Sequence, residues 1–422
     1  SMPLRETPPL PFPSFYGDRR NQFKSHIDYI KLLCTSETFD VGEDVFLVSV
    51  DNPNVLSPPW VQGPIFACSN SVKVSGVLAG ASAELFRRDS LGTVTSEGVA
   101  LGGPFGDVSF VLQSSVQLGD VFWAVQSLGG QTSGQGREEP SQEYPEVELP
   151  EPRITQPVYA CADQIGLHTQ LQGVDAQVWK NAGSASWVPV PGTWNGFSPP
   201  QVPWTAGDIF HAQTRLCQKE SKKVTVEAAP TPTTLKSAQF WTPPGVTSAG
   251  EIFDGQEYLL LDDLDNGAFA RVSLVQTPSL LLGDTNTDPE GGTLVLHLPS
   301  SPLGRNAKVG DAFSAVAQFA CGSSTGAPTI STGVLPCSSL PAPRIVFPRE
   351  GDRFITLRTF VPGARIRVYR ASTGAEIADG AGPRVALAPP NVLGAQEKIR
   401  VVQQLGTCVG TQAFEVTTGA AQ

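Results

Sequence analysis

The chain has few basic residues, no long apolar run and no recognisable leader. Its 422 residues include 29 Lys and Arg against 40 Asp and Glu, which gives a formal net charge of −11. Binding to a phosphate backbone needs a basic footprint, so this balance argues against nucleic acid as a partner. No stretch approaches the roughly 20 apolar residues that a transmembrane helix needs, and we predict no membrane span. Ser1 precedes Met2 and a Pro-rich start, so we expect this sequence to be part of a larger chain or assembly.

The sequence patterns argue against catalysis and against zinc. The one Gly-x-Ser-x-Gly match, at residues 322–326, is followed by Ala-Pro-Thr, which starts no helix, whereas a hydrolase needs a helix there. There is no Cys-x-x-Cys pair, which argues against a structural zinc site. No two of the four histidines are spaced as metal ligands on one element. We therefore predict no catalytic residues and a non-enzymatic protein.

Calcium is the one cofactor for which the sequence offers ligands. Oxygen-bearing side chains alternate in an acidic loop, at Asp284, Asn286, Asp288 and Glu290. Ca²⁺ takes six to eight oxygen ligands, so this alternation suits a calcium site between strands. Pro289 stands where an EF-hand loop needs glycine, which excludes that motif. Asp and Asn also form turns without a metal, so both interpretations stay open.

Turn residues and strand formers are plentiful. The chain contains 42 Gly and 37 Pro, and 40% of its residues are hydrophobic, enough to build cores. Val, Thr, Ser, Leu and Phe are frequent, a composition that favours strands over helices. The length allows two to four domains.

A degenerate repeat divides the chain. Its signature is an acidic residue, usually after glycine, followed by alternating apolar and polar positions that predict a half-buried strand. The acidic positions lie 76 to 103 residues apart, which is the size of one β-sandwich domain. The copies are residues 119–129, 207–217, 310–316 and 397–406, with a weaker one at 43–48.

A second signature opens the units and sets their boundaries. Residues 64–68 align with 157–161, and each stretch ends in Cys and precedes a turn of Gly and a small residue, while unit 3 lacks this opening. The N-terminal region adds a polyproline stretch and one predicted helix, in which Phe23, Ile27, Ile30 and Cys34 share a face. The predicted organisation is an arm with a partial β unit (1–62), unit 1 (63–136), an acidic Pro-rich linker (137–152), unit 2 (153–228), unit 3 (229–340) and unit 4 (341–422).

Together these signatures resemble bacterial tandem immunoglobulin-like repeats, a family of Ig-like or fibronectin-III-like β-sandwiches. The resemblance covers residues 63–418 and concerns the Pro-rich entry, the early Cys, the Gly turn and the closing Gly-Asp-x-Phe strand. It implies an all-β fold of tandem Ig-like sandwiches with an extended N-terminal arm. It also implies spacer, adhesive or binding roles in surface or secreted proteins, although the fold itself carries no function.

Seven cysteines leave at least one thiol unpaired within the chain. The first and last strands of a sandwich can lie close together, so we predict a disulfide between Cys161 and Cys217 of unit 2. Cys337 could pair with Cys408 or Cys321, and the partners of Cys34 and Cys68 stay open. Buried free thiols are the alternative. A disulfide would indicate an extracellular or cell-surface protein.

Four of the seven tryptophans belong to unit 2. They are Trp179, Trp187, Trp194 and Trp204. Tryptophan in the loops of a sandwich can stack on sugars or anchor a protein partner, while packing beneath a long loop is the simpler interpretation. We predict a structural or adhesive module of a bacterial surface, secreted or secretion-associated assembly with a protein or glycan partner. The alternatives are a carbohydrate-binding accessory protein that uses the unit 2 tryptophans and an enzyme with a site between domains.

Overall fold

The computed structural model describes residues 55–420 except 163, 184, 198–203, 242–249, 263, 287–293, 322–327 and 332. Regular structure in this part of the chain is β-strand, apart from two 3₁₀ turns at Leu298–Ser300 and Cys337–Ser339. The all-β prediction is confirmed. The predicted helix and the weak repeat copy at 43–48 lie outside the described residues.

Unit 1 packs two sheets face to face. One sheet has the order β1-β3-β6, and the other has the order β2-β9-β7-β4-β5 with β8 also on β7. Because β1 and β9 are part of this sandwich, the predicted boundaries at 62 and 136 are too narrow, and the linker 137–152 begins with a strand. The strands are β1 Trp60–Val61, β2 Ile65–Phe66, β3 Ser71–Ser75, β4 Ser82–Arg88, β5 Val94–Leu101, β6 Asp107–Val111, β7 Val121–Leu128, β8 Gln131–Thr132 and β9 Glu139–Gln142.

Unit 2 repeats this plan with shorter edges. Its sheets have the orders β10-β11-β14 and β13-β12-β15-β16, with β17 also on β15. Residues on β15 alternate between buried and half-exposed, as the repeat signature predicted. The strands are β10 Arg153–Ile154, β11 Ile165–His168, β12 Asp175–Lys180, β13 Val188–Pro189, β14 Trp194–Phe197, β15 Ile209–Leu216, β16 Lys219–Glu220 and β17 Val224–Glu227.

Units 3 and 4 follow the same two-sheet plan. Unit 3 has sheets β18-β20-β23 and β22-β21-β24-β25 and a parallel pair β19-β26, and unit 4 has sheets β27-β28-β31 and β30-β29-β32-β33 with β34 on β32. The strands of unit 3 are β18 Gln239–Phe240, β19 Ile252–Phe253, β20 Tyr258–Asp262, β21 Phe269–Leu274, β22 Thr277–Asn286, β23 Leu294–His297, β24 Phe313–Gln318, β25 Thr329–Ile330 and β26 Val334–Leu335. The strands of unit 4 are β27 Arg344–Ile345, β28 Phe354–Thr359, β29 Arg365–Arg370, β30 Glu376–Gly380, β31 Arg384–Ala386, β32 Lys398–Leu405, β33 Cys408–Val409 and β34 Phe414–Thr417.

The acidic residue of the repeat closes the turn before each closing strand. Its carboxylate accepts the N–H of the residue three positions earlier, at 2.6 Å from Gln117 to Asp120 and 2.7 Å from Thr205 to Asp208. Asp311 and Glu397 accept the corresponding bonds in units 3 and 4. Each carboxylate also binds a cation, in chain order Arg87, Lys180, Arg305 and Arg370. The repeat signature therefore has a structural cause.

One leucine per unit is buried where the unit meets another unit. These leucines lie five residues before a buried residue of the opening strand. The cluster around Leu149 includes Phe66 of unit 1, and the cluster around Leu340 includes Phe253 of unit 3. Apolar contacts thus cross the junctions, which opposes independent motion of the units. The leucines are Leu56, Leu149, Leu235 and Leu340.

Candidate functional site

The junction between consecutive units recurs with one geometry. The opening turn of each unit holds a residue in the left-handed conformation, namely Cys68, Cys161, Gly255 and Gly351. In units 1 to 3 this turn lies against the closing hairpin of the next unit, through two disulfides at the first two junctions and through Gly255 beside Leu405 and Cys408 at the third. The candidate functional feature is therefore a repeated, fixed connection between domains.

Two disulfides cross the first two junctions. Cys68 of unit 1 is bonded to Cys217 of unit 2, and Cys161 of unit 2 is bonded to Cys321 of unit 3. The predicted Cys161–Cys217 disulfide is therefore wrong. The N–H of Cys161 donates to the Trp204 carbonyl before β15 begins, whereas Cys217 follows the end of β15. Eight strand residues separate the two ends by about 26 Å, too far for a disulfide.

The third disulfide fixes the entry to unit 4. Cys337 is bonded to Cys408, one of the two partners that the sequence allowed. Cys337 lies in the 3₁₀ turn ahead of β27, and Cys408 begins β33. The Cys337 Sγ also lies 3.8 Å from Asp254 Oδ2 of unit 3, beside the opening turn. Cys34 lies outside the described residues.

The glycine of the Gly turn explains how closely the units approach. A Cβ at Gly173 would lie 2.6 Å from Ser69 Oγ of unit 1, and a Cβ at Gly267 would lie 2.3 Å from the Cβ of Ala162 of unit 2. Both glycines also have positive φ, so no other residue fits without strain. Gly267 shows that unit 3 does contain this turn, ahead of β21, contrary to the sequence analysis.

Unit 4 returns to unit 1 and closes the array. The Ser57 N–H donates to the Asp379 carbonyl at 2.9 Å, which adds the chain before β1 to the edge of β30. The Gly363 N–H donates to the Pro104 carbonyl at 2.7 Å. Leu56 is buried in one cluster with Ala381 of unit 4. At the other junctions, the junction leucine of a unit is covered by the unit that precedes it in the chain. For Leu56 of unit 1, unit 4 has this role.

Asp379, which takes part in this contact, also pairs with one of the arginines of β29. Its carboxylate pairs with Arg365, whose Nε lies 2.6 Å from Oδ1. Burial raises the pKa of Asp379, and the Arg365 guanidinium opposes that effect. The neighbouring Arg367 pairs in the same way with Glu376, at 2.6 Å. The positive charge of this strand is therefore largely neutralised within unit 4.

The predicted tryptophan site is only partly at the surface. Trp204 is 1% exposed, and its ring centroid lies 4.9 Å from that of Phe210, so Trp204 is a core residue. Its assignment to a ligand-binding surface is wrong because its ring packs on Phe210 inside the core of unit 2. Trp194 lies on β14, and its side chain is not among the described ones.

Trp179 and Trp187 share one outer face of unit 2. Trp179 is paired with His211 across β12 and β15, with ring centroids 5.4 Å apart. Trp187 stacks on the Arg215 guanidinium at 4.5 Å. Arg215 and His211 lie four residues apart on β15 and therefore point to the same face of the sheet, which places both tryptophans there. Both rings are half-buried.

Amide side chains complete this face between the two tryptophans. Gln177 and Gln213 face each other across β12 and β15 with Nε2 and Oε1 3.3 Å apart. Asp175 accepts a bond from Arg215 at 3.0 Å. We call the outward residues of β12 and β15, together with Trp187, the tryptophan face. Sequence analysis missed the glutamines, which strand alternation from Trp179 could have located.

Histidines of unit 2 lie in different sheets. His168 on β11 is buried, and desolvation together with nearby Arg153 lowers its pKa to about 4. His211 on β15 has its pKa lowered by desolvation and by Lys223, and its Nδ1 lies 2.9 Å from Thr225 Oγ1. The two imidazoles do not form a pair.

The predicted calcium ligands are only partly described. Asp284 and Asn286 belong to β22, so the strand extends further than the predicted acidic loop allowed. Asp288 and Glu290 lie outside the described residues. Within the described part of the chain, no group of three His, Cys, Asp or Glu side chains could hold a metal ion. The calcium site stays a prediction.

Comparisons with known proteins assign no family to this chain. No family model matches the chain, and no curated protein matches it. Among solved structures, it is similar to the BSP domain of a biofilm-associated protein, with 8% identity over 90% of this chain and 98% of that one and a TM-score of 0.22. It is also similar to the four N-terminal Ig domains of a Dscam1 isoform, with 10% identity over 87% and 99% and a TM-score of 0.24.

An S-layer protein structure is a third similar chain. It is 10% identical over 86% of this chain and 54% of that one, with a TM-score of 0.25. No helix in the described part of the chain is long and apolar enough to cross a bilayer.

Proposed function

We propose that this chain is a structural or adhesive module of a bacterial surface, secreted or secretion-associated assembly, in which four sandwich units are held in fixed relative positions. The observation that carries the proposal is that two disulfides join consecutive units rather than strands of one unit. A disulfide inside a domain stabilises that domain, whereas a disulfide across a junction also restricts its bending. Such an arrangement suits a spacer that must keep its shape.

The disulfides also support a location outside the cytosol. Glutathione and thioredoxin keep cytosolic thiols reduced, so structural disulfides persist mainly in secreted, periplasmic and surface proteins. Six of the seven cysteines are paired. The acidic net charge of −11 favours solubility and repels nucleic acid.

The proposal is tested on intact source cells. Brief trypsin treatment should release peptides of units 1 to 4 into the medium, and a non-reducing digest should contain the linked peptides of Cys68 with Cys217. A cytosolic protein of the same cells serves as the lysis control. Recovery of the chain only after lysis, with all seven thiols open to alkylation, would refute the proposal.

Carbohydrate binding by unit 2 is the second candidate function. It is favoured by two half-buried tryptophans on one face of a sheet with amide side chains between them, because sugars stack on aromatic rings and bond to amides. We expect Trp179→Ala and Trp187→Ala to lose glycan-array signals that the wild type gives. Trp60→Ala, a half-buried tryptophan of unit 1, is the matched control. Signals that survive both unit 2 substitutions would exclude this face.

A further inference from the structure

Strand β5 is an open edge of the large sheet of unit 1. The sheet order ends at β5, whose only strand neighbour among the described residues is β4. With eight residues it is long for an edge strand. On either side of a β-bulge at Glu97, its outward N–H and C=O groups are therefore a template for another strand.

The side chains around this edge are apolar and exposed. Val94, Val99 and Leu101 of β5 are 51%, 63% and 72% exposed. The chain just after β6 lies near this strand, because the Gln113 N–H donates to Glu97 Oε2 at 3.0 Å. Such a concentration of exposed aliphatic residues on one flank marks an interaction surface rather than scattered surface hydrophobics.

The corresponding edges of the other units are protected. In unit 2, β13 has only two residues and contains Pro189, which has no N–H to donate. In unit 3, Pro278 interrupts the start of β22. In unit 4, the edge of β30 is covered by Leu56 and Ser57 of unit 1. The last case also shows, within this chain, that this edge of the sandwich accepts an added strand.

The charge on β5 favours a second copy of the same strand. Glu97 is the one ionisable side chain of β5, and it is buried, turned inward to Arg87 at 3.4 Å. Two β5 strands can therefore meet without placing like charges opposite each other. We propose that β5 binds β5 of a second copy, edge to edge and antiparallel, so that two six-stranded sheets become one sheet across a two-fold axis.

The test is sedimentation of the full chain over a wide range of concentrations. We expect a reversible dimer in the wild type and a dissociation constant raised by about tenfold or more in Val99→Lys, because an edge lysine opposes strand addition. The control is Val147→Lys, which makes the same charge change at a residue that is 86% exposed and lies beyond β9. A Cys34→Ser variant, which should still dimerise, excludes a disulfide through the seventh cysteine.

Hydrogen exchange locates the interface in the same samples. The amides of β5 should exchange more slowly at dimer-forming concentrations, and those of β22, the corresponding edge strand of unit 3, should not change. A wild type that is monomeric at all concentrations overturns the proposal. So does a Val99→Lys variant that dimerises like the wild type, since the interface would then lie elsewhere.

Discussion

Cys68 and Cys217 occupy corresponding places at opposite ends of neighbouring units. Cys68 is in the opening turn of unit 1, and Cys217 is in the closing hairpin of unit 2, with Cα atoms 5.2 Å apart. The bond closes a stretch of 149 residues. It therefore restricts both the unfolded chain and the angle between the two units.

Removing this bond should lower stability and loosen the junction. For Cys68→Ser combined with Cys217→Ser, we expect a loss of about 2–4 kcal/mol in the free energy of unfolding. Guanidinium denaturation measures this loss, and small-angle scattering should show a larger radius of gyration. The control pair is Cys337→Ser with Cys408→Ser, which should leave the junction of units 1 and 2 intact. An unchanged scattering profile in the first variant would contradict the role assigned to the bond.

The junction leucines should matter as much as core residues. Leu340 is 0% exposed between units 3 and 4, so Leu340→Ala should reduce the free energy of unfolding by about 2–5 kcal/mol. Leu118→Ala makes the same change at an exposed residue of unit 1 and should cost less than about 0.5 kcal/mol. Thermal unfolding compares the two. Equal effects would mean that the contact of Leu340 with unit 3 does not stabilise the fold.

The sequence predicted the units better than it predicted the relation between them. Strand alternation after each Gly-Asp turn is a local signal, and β15 and β24 lie where that signal places them. Pairing of Cys161 is a nonlocal property, because the choice between Cys217 and Cys321 depends on which end of a unit each cysteine occupies. The N–H of Cys161 donating to Trp204 decides this, and no sequence pattern reports it.

The tryptophan prediction failed at Trp204 for a related reason. Three of the four unit 2 tryptophans lie in a Gly- and Pro-rich stretch that resembles an exposed site, but burial depends on which face of the sheet each ring meets. Trp204 precedes β15 and packs on Phe210, whereas Trp179 alternates outward on β12. The positions of the tryptophans in the sequence distinguish a buried ring from an exposed one only where the strand bounds are already known.

Burial of His168 should make stability depend on pH in a defined range. The folded-state pKa is about 4, below the ordinary value of 6.5, so between these values the unfolded state binds more protons. The neutral imidazole contributes fully above pH 6.5, and this contribution is lost as the pH falls towards 4. The loss amounts to about 3 kcal/mol.

Denaturation at several pH values checks the effect of His168. His168→Gln should lose less stability than the wild type between pH 6.5 and 4. His211→Gln removes a more exposed imidazole and should behave more like the wild type. If the wild type and His168→Gln lose the same amount, the acid sensitivity comes from the paired carboxylates instead.

Of the four acidic residues of the repeat, only Asp120 has both its own side chain and that of its cationic partner less than a tenth exposed. Arg87 Nη2 lies 2.5 Å from Asp120 Oδ2, and both side chains are less than a tenth exposed. Asp120→Asn keeps an oxygen for the Gln117 N–H but removes the charge, so Arg87 retains only Glu97 as an ionic partner. We expect a loss of about 3 kcal/mol in the free energy of unfolding, since the buried guanidinium then has one carboxylate in place of two to offset its charge.

The matched comparison is Glu415→Gln in unit 4. Glu415 pairs with Lys398 at 2.5 Å, but both side chains are about half exposed. Solvent screens this pair, and its loss should cost less than about 1 kcal/mol. Chemical denaturation of both variants separates burial from the mere presence of an ion pair. If Asp120→Asn were as mild as Glu415→Gln, the Gly-Asp turn would depend on its hydrogen bond alone, and the cation beside each repeat carboxylate would be dispensable.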